Sequence, residues 1–333
     1  MTIGRSWRVG FLSPADDDAR HQVFGDLPVE VVTPATRDQI GISDVVRGVD
    51  ILISDWSGEL VPTGDDFRSA PHLCFVQRPG IGVDDHDVGA LTEAGIPIAN
   101  TAGVTGPSMA EWCLGAAISL VRRIGDADRW VRSGEWPQLK LAERGAVDLA
   151  SLRVGVVGFG PVGRIAAQRF QAIGCSVAYW SRRRRTETES DGVRWLPLDD
   201  LLPQSDVLVV AIALTDETQE LIDRFRFDLL PQGAFIVNVA RGAVLDEAAL
   251  IEGLADGRLG GAALDVFAEE PLPADSPLRT LDRVILSPHS SANTPQTRAR
   301  LLTALHENLS RIVSGQPALW VVNGISPTVV RRR

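Results

Sequence analysis

The sequence predicts an α/β protein built on two parallel, doubly wound sheets, and three observations lead to that class. Short apolar runs recur between Trp7 and Ala99, separated by polar segments, several of them long enough for crossover helices. A second, more regular series of the same kind begins at Arg153. Its first strand candidate runs straight into a glycine-spaced turn and then a helical pattern, the order that a ligand-binding βα unit requires. The length of 333 residues suits two domains, at roughly 150 residues each.

In the first series the strand candidates are Arg8 to Leu12, Val29 to Val32, Ile51 to Ile53, Leu73 to Val76 and Ile96 to Ala99. A long apolar-rich segment, Thr105 to Ile124, then leads toward the second series. Its greasiest part, Ala110 to Val121, is broken by Glu111 and bounded by Arg122, so it reads as a core helix, with one face rich enough in Ala, Leu and Ile to meet a second copy of the chain. No stretch approaches the roughly 18 apolar residues of a membrane span. The second series offers Arg153 to Gly158, Ser176 to Trp180, Asp206 to Ala213, Ala234 to Val239, Gly261 to Asp265 and Arg283 to Leu286. Helical patterns at Val162 to Ile173 and Glu247 to Asp256 lie between them, and right-handed crossovers make six such strands a doubly wound sheet. A last helical pattern, Pro295 to Ser314, sets Leu301, Leu305 and Leu309 on one face.

Composition narrows the partners. Lys and Arg number 33 against 43 Asp and Glu, and a net charge of −10 would repel a nucleic-acid backbone. The three cysteines, Cys74, Cys113 and Cys175, are too far apart for a metal-binding CxxC pair or a disulfide framework and read as buried thiols. Arg5 and Arg8 precede no apolar signal region, so a cytoplasmic location is expected.

The turn after Arg153 reads RVGVVGFGPVGR. Gly158 permits the tight turn, Gly160 lets backbone approach a pyrophosphate, and Gly163 lets helix and strand pack closely, with Pro161 and Val162 opening the helix. This is the Rossmann dinucleotide signature in its proper context. Past the next strand, Ser181 stands where an acid would hold the ribose of NAD, and Arg182 and Arg183 open a run of four Arg. The first following acid is Glu187. Guanidinium groups there suit the 2′-phosphate, so NADP(H) is favoured over NAD(H), against the alternative of a solvated basic loop.

Five histidines occur, and His289 stands out at the carboxyl end of a strand, after Ser287 and Pro288, where open α/β sheets bind ligands. Arg241 follows another strand end and offers a planar fork for a carboxylate; Asp265 ends a third strand, with Glu269 and Glu270 shortly after it. With these residues, the chain resembles the D-isomer-specific 2-hydroxyacid dehydrogenases. The resemblance rests on GIGVDDHD at 80–87, GIPIANTAG at 95–103, the glycine turn, VNVARGAVLDE at 237–247, GAALDVFAEEPLP at 261–273 and SPHSSANTPQT at 287–297.

The resemblance implies a Rossmann cofactor domain over residues 104–294 and a flavodoxin-like substrate domain formed by both chain ends, 1–103 and 295–333. It implies a catalytic trio of Arg241, Glu270 and His289, with family spacing selecting Glu270 over Glu269. Arg241 holds the carboxylate of a small 2-oxo acid, His289 donates the proton, and Glu270 favours its imidazolium form. Val239, Ala240 and Asp265 fall to the coenzyme, Asp265 as partner of the nicotinamide carboxamide. Gly80, Ile81 and Gly82 fall to a substrate-binding turn, where backbone N–H groups meet the carboxylate. Glyoxylate or hydroxypyruvate is the expected substrate class and a homodimer the expected assembly. The rivals are a phosphoglycerate dehydrogenase-like enzyme, disfavoured by the acidic, aromatic loop Ser54–Ser57, and a dinucleotide-sensing corepressor or scaffold on the same fold. Ser290 and Ser291 depart from the family, where an apolar or glycine pair is frequent.

Overall fold

The computed structural model describes residues 6–143, 145–185 and 192–332. Contacts divide the chain into two compact units, Met1–Thr105 with Thr294–Arg333, and Gly106–Asn293.

The first unit contains β1 (Trp7–Phe11), α1 (Asp17–Phe24), β2 (Val29–Val32), α2 (Gln39–Gly48), β3 (Ile51–Ile53), α3 (Gly64–Arg68), β4 (Phe75–Gln77), α4 (Val88–Glu93) and β5 (Ile98–Ala99). Its strands pair in parallel in the order β2-β1-β3-β4-β5, the flavodoxin-like arrangement. Carboxylates start the helices: Asp16, Asp38 and Asp87 each accept a backbone N–H from the first turn of α1, α2 and α4, satisfying donors that a helix leaves orphaned. Residues alternate between two buried faces. Val9, Phe11, Ile51 and Phe75 meet one apolar layer, while Leu12, Leu52 and Val76 meet Ile42, Phe67 and Leu91 on the other.

The second unit contains α5 (Gly106–Val121), α6 (Ile124–Arg132), β6 (Arg153–Val157), α7 (Pro161–Ala172), β7 (Ser176–Trp180), β8 (Arg194–Trp195), α8 (Leu198–Leu201), β9 (Val207–Val210), α9 (Arg224–Leu229), β10 (Ala234–Asn238), α10 (Glu247–Ala255), β11 (Leu259–Leu264) and β12 (Val284–Leu286). The last helix, α11 (Pro295–Val313), belongs to the first unit, and its Leu302, Leu305 and Leu309 complete that unit's core. The second sheet is parallel in the order β12-β11-β10-β9-β6-β7-β8. The chain leaves β6 in one direction and resumes at β9 on its other side. That reversal places the glycine turn after β6 at the topological switch point, where such sheets bind ligands. Arg153 and Asp206 clamp the entrances to β6 and β9, the Asp206 carboxylate accepting from the Arg153 backbone N–H and from its guanidinium at 2.8–2.9 Å.

Two expectations change. The sheet has seven strands rather than six, because β8 is a two-residue edge strand too short to leave an apolar pattern. The segment 105–124 comprises two helices, because Arg123 takes a left-handed φ of 54° and separates α5 from α6. Ala110, Cys113, Ala117, Leu120 and Val121 of α5 are buried within their own unit, in the cluster that holds Val156, Phe170 and Val237, as the core-helix reading expects; Trp112, Leu114 and Ile118 on its other side are only partly buried.

Candidate active site

The glycine turn has the geometry its residue types require. Gly158 has φ 95°, and a Cβ there would lie 2.4 Å from the Ala211 carbonyl oxygen; at Gly163 it would lie 2.0 Å from the Gly158 oxygen. A Cβ on Gly160 would meet nothing within 4 Å, so that backbone faces open space. Helix α7 begins there with Pro161 and no side-chain cap, leaving its positive end to an anion. A nicotinamide dinucleotide fits this cradle through its pyrophosphate. Phe159 stacks on Tyr179 of β7 with ring centroids 3.7 Å apart, and the Tyr179 hydroxyl accepts from the Arg185 backbone N–H at 2.9 Å. These contacts fix the turn against the loop expected to meet the ribose.

In that loop the Ser181 hydroxyl donates to the Arg183 carbonyl at 2.6 Å, and the Arg182 guanidinium pairs with Glu217 at 3.0 Å. Both partners of the pair are mostly exposed, so it is weak and exchangeable. Glu187 lies outside the described residues.

At the carboxyl end of the same sheet, Arg241 follows β10 and His289 follows β12. Glu270 comes from the loop after β11. The Glu270 carboxylate accepts from Nδ1 of His289 at 2.8 Å through one oxygen and from the Phe267 N–H at 3.0 Å through the other. Burial by itself pushes the Glu270 carboxyl up, but the hydrogen bonds from His289 and Phe267 and the charges of His289 and Arg241 outweigh it and hold it below its ordinary range. With Nδ1 engaged, Nε2 makes no hydrogen bond among the described residues, and the ring is about half exposed. The group is positioned to pass a proton outward.

Sequence reasoning left several supporting residues unnoticed. His289 has a left-handed φ of 50°, an uncommon state for a residue with a side chain. Asp265 holds it there. Its carboxylate, 1% exposed, accepts N–H bonds from Ser290 at 2.7 Å and Ser291 at 3.0 Å, and its carbonyl accepts the His289 N–H at 2.8 Å. Asp265, assigned to the coenzyme in the sequence, also anchors the loop that carries His289. Asn238 does the same for Arg241, its amide donating to the Arg241 carbonyl while its oxygen accepts the Ala240 N–H, each at 3.0 Å. Val239 and Ala240 are buried at this bend. The asparagine side chain mimicking backbone was a signal available in the sequence. Among the described residues no cluster of His, Cys, Asp or Glu is arranged to hold a metal, and no helix is long and apolar enough to cross a membrane.

In the first unit, the turn at Gly80–Gly82 is held by its carbonyls. Thr101 donates to the Gly80 oxygen through N–H at 2.9 Å and through Oγ1 at 3.1 Å, and the Asn100 amide donates to the Ile81 oxygen at 2.9 Å. Among the described residues the N–H groups of Ile81 and Gly82 find no acceptor.

Residues 114–291 match the model of the NAD-binding domain of D-isomer specific 2-hydroxyacid dehydrogenases. The chain is 34% identical over 288 residues to a glyoxylate reductase of Korarchaeum cryptofilum, covering 85% of each. It is 33% identical to a D-3-phosphoglycerate dehydrogenase of Archaeoglobus fulgidus, over 89% of this chain but 55% of that one. An NADPH-dependent glyoxylate/hydroxypyruvate reductase of Sinorhizobium meliloti, solved with NADP and malonate, superposes with a TM-score of 0.81 at 27% identity over 99% of both chains.

Gly242 ties the Arg241 turn to the loop that leads to Glu270, because a Cβ there would lie 1.8 Å from the Phe267 carbonyl carbon. Gly242→Ala is expected to destabilise the protein by about 1–3 kcal/mol through forced backbone movement, seen as a lower melting temperature, and to cut turnover more than coenzyme binding.

Proposed function

Since the chain belongs to the D-isomer-specific 2-hydroxyacid dehydrogenases, oxidoreductases that interconvert small 2-oxo and 2-hydroxy acids with a nicotinamide coenzyme, we propose that its own reaction is the NADPH-dependent reduction of glyoxylate or hydroxypyruvate. The observation that carries this reading is the 2.8 Å pair of Glu270 and His289 with Nε2 left open. Bound in the glycine cradle, the coenzyme supplies the hydride. Arg241 binds the substrate carboxylate and polarises the keto oxygen, and the Ile81 and Gly82 amides bind acid oxygens in the first unit. His289, protonated, gives its Nε2 proton to the keto oxygen as it becomes alkoxide, and takes it back in the oxidative direction. Glu270, ionised, stabilises the imidazolium through Nδ1. Formate oxidation has no keto oxygen to protonate and leaves this pair without work.

A phosphorylated substrate is disfavoured by the loop after β3. There Asp55 is buried, and the Arg37 guanidinium beside it is engaged by Asp55, by Glu59 and by the Leu12 carbonyl, so the cation at this loop is already committed. The likeness to phosphoglycerate dehydrogenases leaves out nearly half of their length.

His289→Ala is expected to lower kcat for glyoxylate by about 10²–10⁴ while leaving the dissociation constant for NADPH unchanged by fluorescence titration; near-normal turnover would remove His289 as the acid. The depressed pKa of Glu270 gives a signed companion. Its carboxylate is lost only as pH falls below the ordinary value of 4.5, so the loss of rate due to its protonation is confined to that acid range in the wild type, and Glu270→Gln carries that loss at every pH.

For the coenzyme, Arg182 exchanges its surface partner Glu217 for the 2′-phosphate, and Ser181 brings no competing charge. One charge-assisted contact contributes roughly 1.5–3 kcal/mol, so NADPH is expected to exceed NADH at least tenfold in kcat/KM. Ser181→Asp with Arg182→Ala should reverse the order; a wild type that prefers NADH would return the Arg run to solvent.

The homodimer belongs with this reading, on a shifted surface. Ile124 and Val131 of α6, with Trp136 and Leu139 just beyond it, are 52%, 52%, 77% and 88% exposed, a concentration of apolar side chains that a second copy would cover. Light scattering at micromolar concentration should give twice the 35.9 kDa chain mass, and Trp136→Asp with Leu139→Asp should give the single mass.

A further inference from the structure

We propose that a hydrogen-bonded chain of Arg78, Asp85, His86 and Ser54, buried at its His86 and Ser54 end, positions the Ile81 and Gly82 amides for the substrate, and that His86 thereby sets the affinity for the 2-oxo acid. The inference rests on the reading of that turn as a substrate site. None of these four residues is part of the proton-transfer machinery.

The chain begins at the turn itself. Arg78, only 12% exposed, donates from Nε to Asp85 at 2.9 Å and pairs through Nη2 at 2.8 Å, while Nη1 donates to the carbonyls of Pro79 at 2.9 Å and Asp55 at 3.3 Å. The one cation of the segment 78–87 is thus folded back onto its own turn and neutralised. What the turn offers an anion is its backbone N–H groups, and their direction depends on how firmly Arg78 and Asp85 are held.

Asp85 is held from the inside. Its other oxygen lies 2.7 Å from Nδ1 of His86. Burial alone would raise its pKa, but the His86 hydrogen bond and the Arg78 guanidinium outweigh this and keep it far below the usual carboxylate range. An ionised carboxylate only accepts, so Nδ1 carries the proton. His86 is buried, its side chain 2% exposed, and its ring stacks on Phe67 at 6.3 Å and 17°. Nε2 lies 2.7 Å from the hydroxyl of Ser54, which donates to it. Ser54 is fixed in turn, its N–H donating to the Gln77 carbonyl at 2.9 Å and its carbonyl accepting the Ser13 hydroxyl at 3.1 Å. A serine, a histidine and a carboxylate in line have the composition of a nucleophilic set, but Ser54 is 0% exposed, so no substrate reaches Oγ. The array is a brace running from the end of β3 to the turn. A network buried at its His86 and Ser54 end is stiff there when complete and costly when that histidine is missing.

Two amides replace the two ring nitrogens separately. His86→Asn sets an amide near the place of Nδ1 and keeps the contact with Asp85; His86→Gln reaches Ser54 and gives up Asp85. Contacts made equally to bound substrate and transition state act on KM rather than kcat. His86→Gln is therefore expected to raise KM for glyoxylate about tenfold, with kcat within about threefold and the NADPH dissociation constant unchanged, and His86→Asn to recover most of the loss. Titration calorimetry of oxalate against the coenzyme-loaded protein reads the same turn without turnover, and the Gln variant should bind it about tenfold more weakly. Unchanged oxalate affinity in His86→Gln overturns the proposal. So do Asn and Gln variants impaired alike with lowered melting temperature and weakened NADPH binding, which would mark a purely structural histidine. A wild type that binds oxalate but reduces no 2-oxo acid counts against the proposed reaction and leaves the oxalate comparison to decide on His86.

Discussion

The carboxylate of Asp265, taken out of water at the end of β11, is the constraint on which the catalytic end of the second unit depends. A buried charge is tolerated only when its lone pairs are filled, and here they are filled by the N–H groups of Ser290 and Ser291. Those bonds, with the Asp265 carbonyl accepting from His289, stabilise a left-handed conformation that costs about 1–3 kcal/mol elsewhere. The conformation aims the imidazole at Glu270. Removing the acid would leave the Ser290 and Ser291 N–H groups without this acceptor and release the strain together, so the His289–Glu270 geometry rests on the hydrogen bonds that the Asp265 side chain accepts.

The same device recurs around the site with different atoms. Asn238 accepts and donates across the bend that carries Arg241. Glu270 uses one oxygen for His289 and the other for its own loop at Phe267. Gly242 lets two backbones touch where any side chain would separate them. Arg241, Glu270 and His289 thus each stand on backbone that a second residue has fixed, which is how a constellation of side chains keeps its orientation.

How much of this was legible in sequence follows from the range of each interaction. Parallel strands announce themselves as short apolar runs, and Val29–Val32, Ile51–Ile53 and Ser176–Trp180 were read to the residue, although only Ile51–Ile53 is buried throughout. The roles of Gly158 and Gly163 were legible because their neighbours lie within the same short turn. The edge strand β8 left no pattern in two residues. The anchoring by Asp265 and the close approach at Gly242 join residues distant in sequence, and nothing local encodes them. The family resemblance supplied residue types at the catalytic positions; the fixing of those residues had to be seen.

Charge placement separates what binds from what braces. Arg78 and Arg153 are engaged by carboxylates on more than one donor, and Asp85 and Asp206 are held below their ordinary range by those contacts, Asp85 against the opposing effect of burial. Such guanidinium groups are committed, since an incoming anion would have to displace several charge-assisted hydrogen bonds at once. Among the described residues Arg182 pairs with one exposed carboxylate, that of Glu217, and leaving it costs little. A basic residue held by several such bonds reads as structure, and one held by a single solvent-screened bond as exchangeable. By that criterion Arg78 is committed to its own turn in the first unit, while Arg182 after β7 is not.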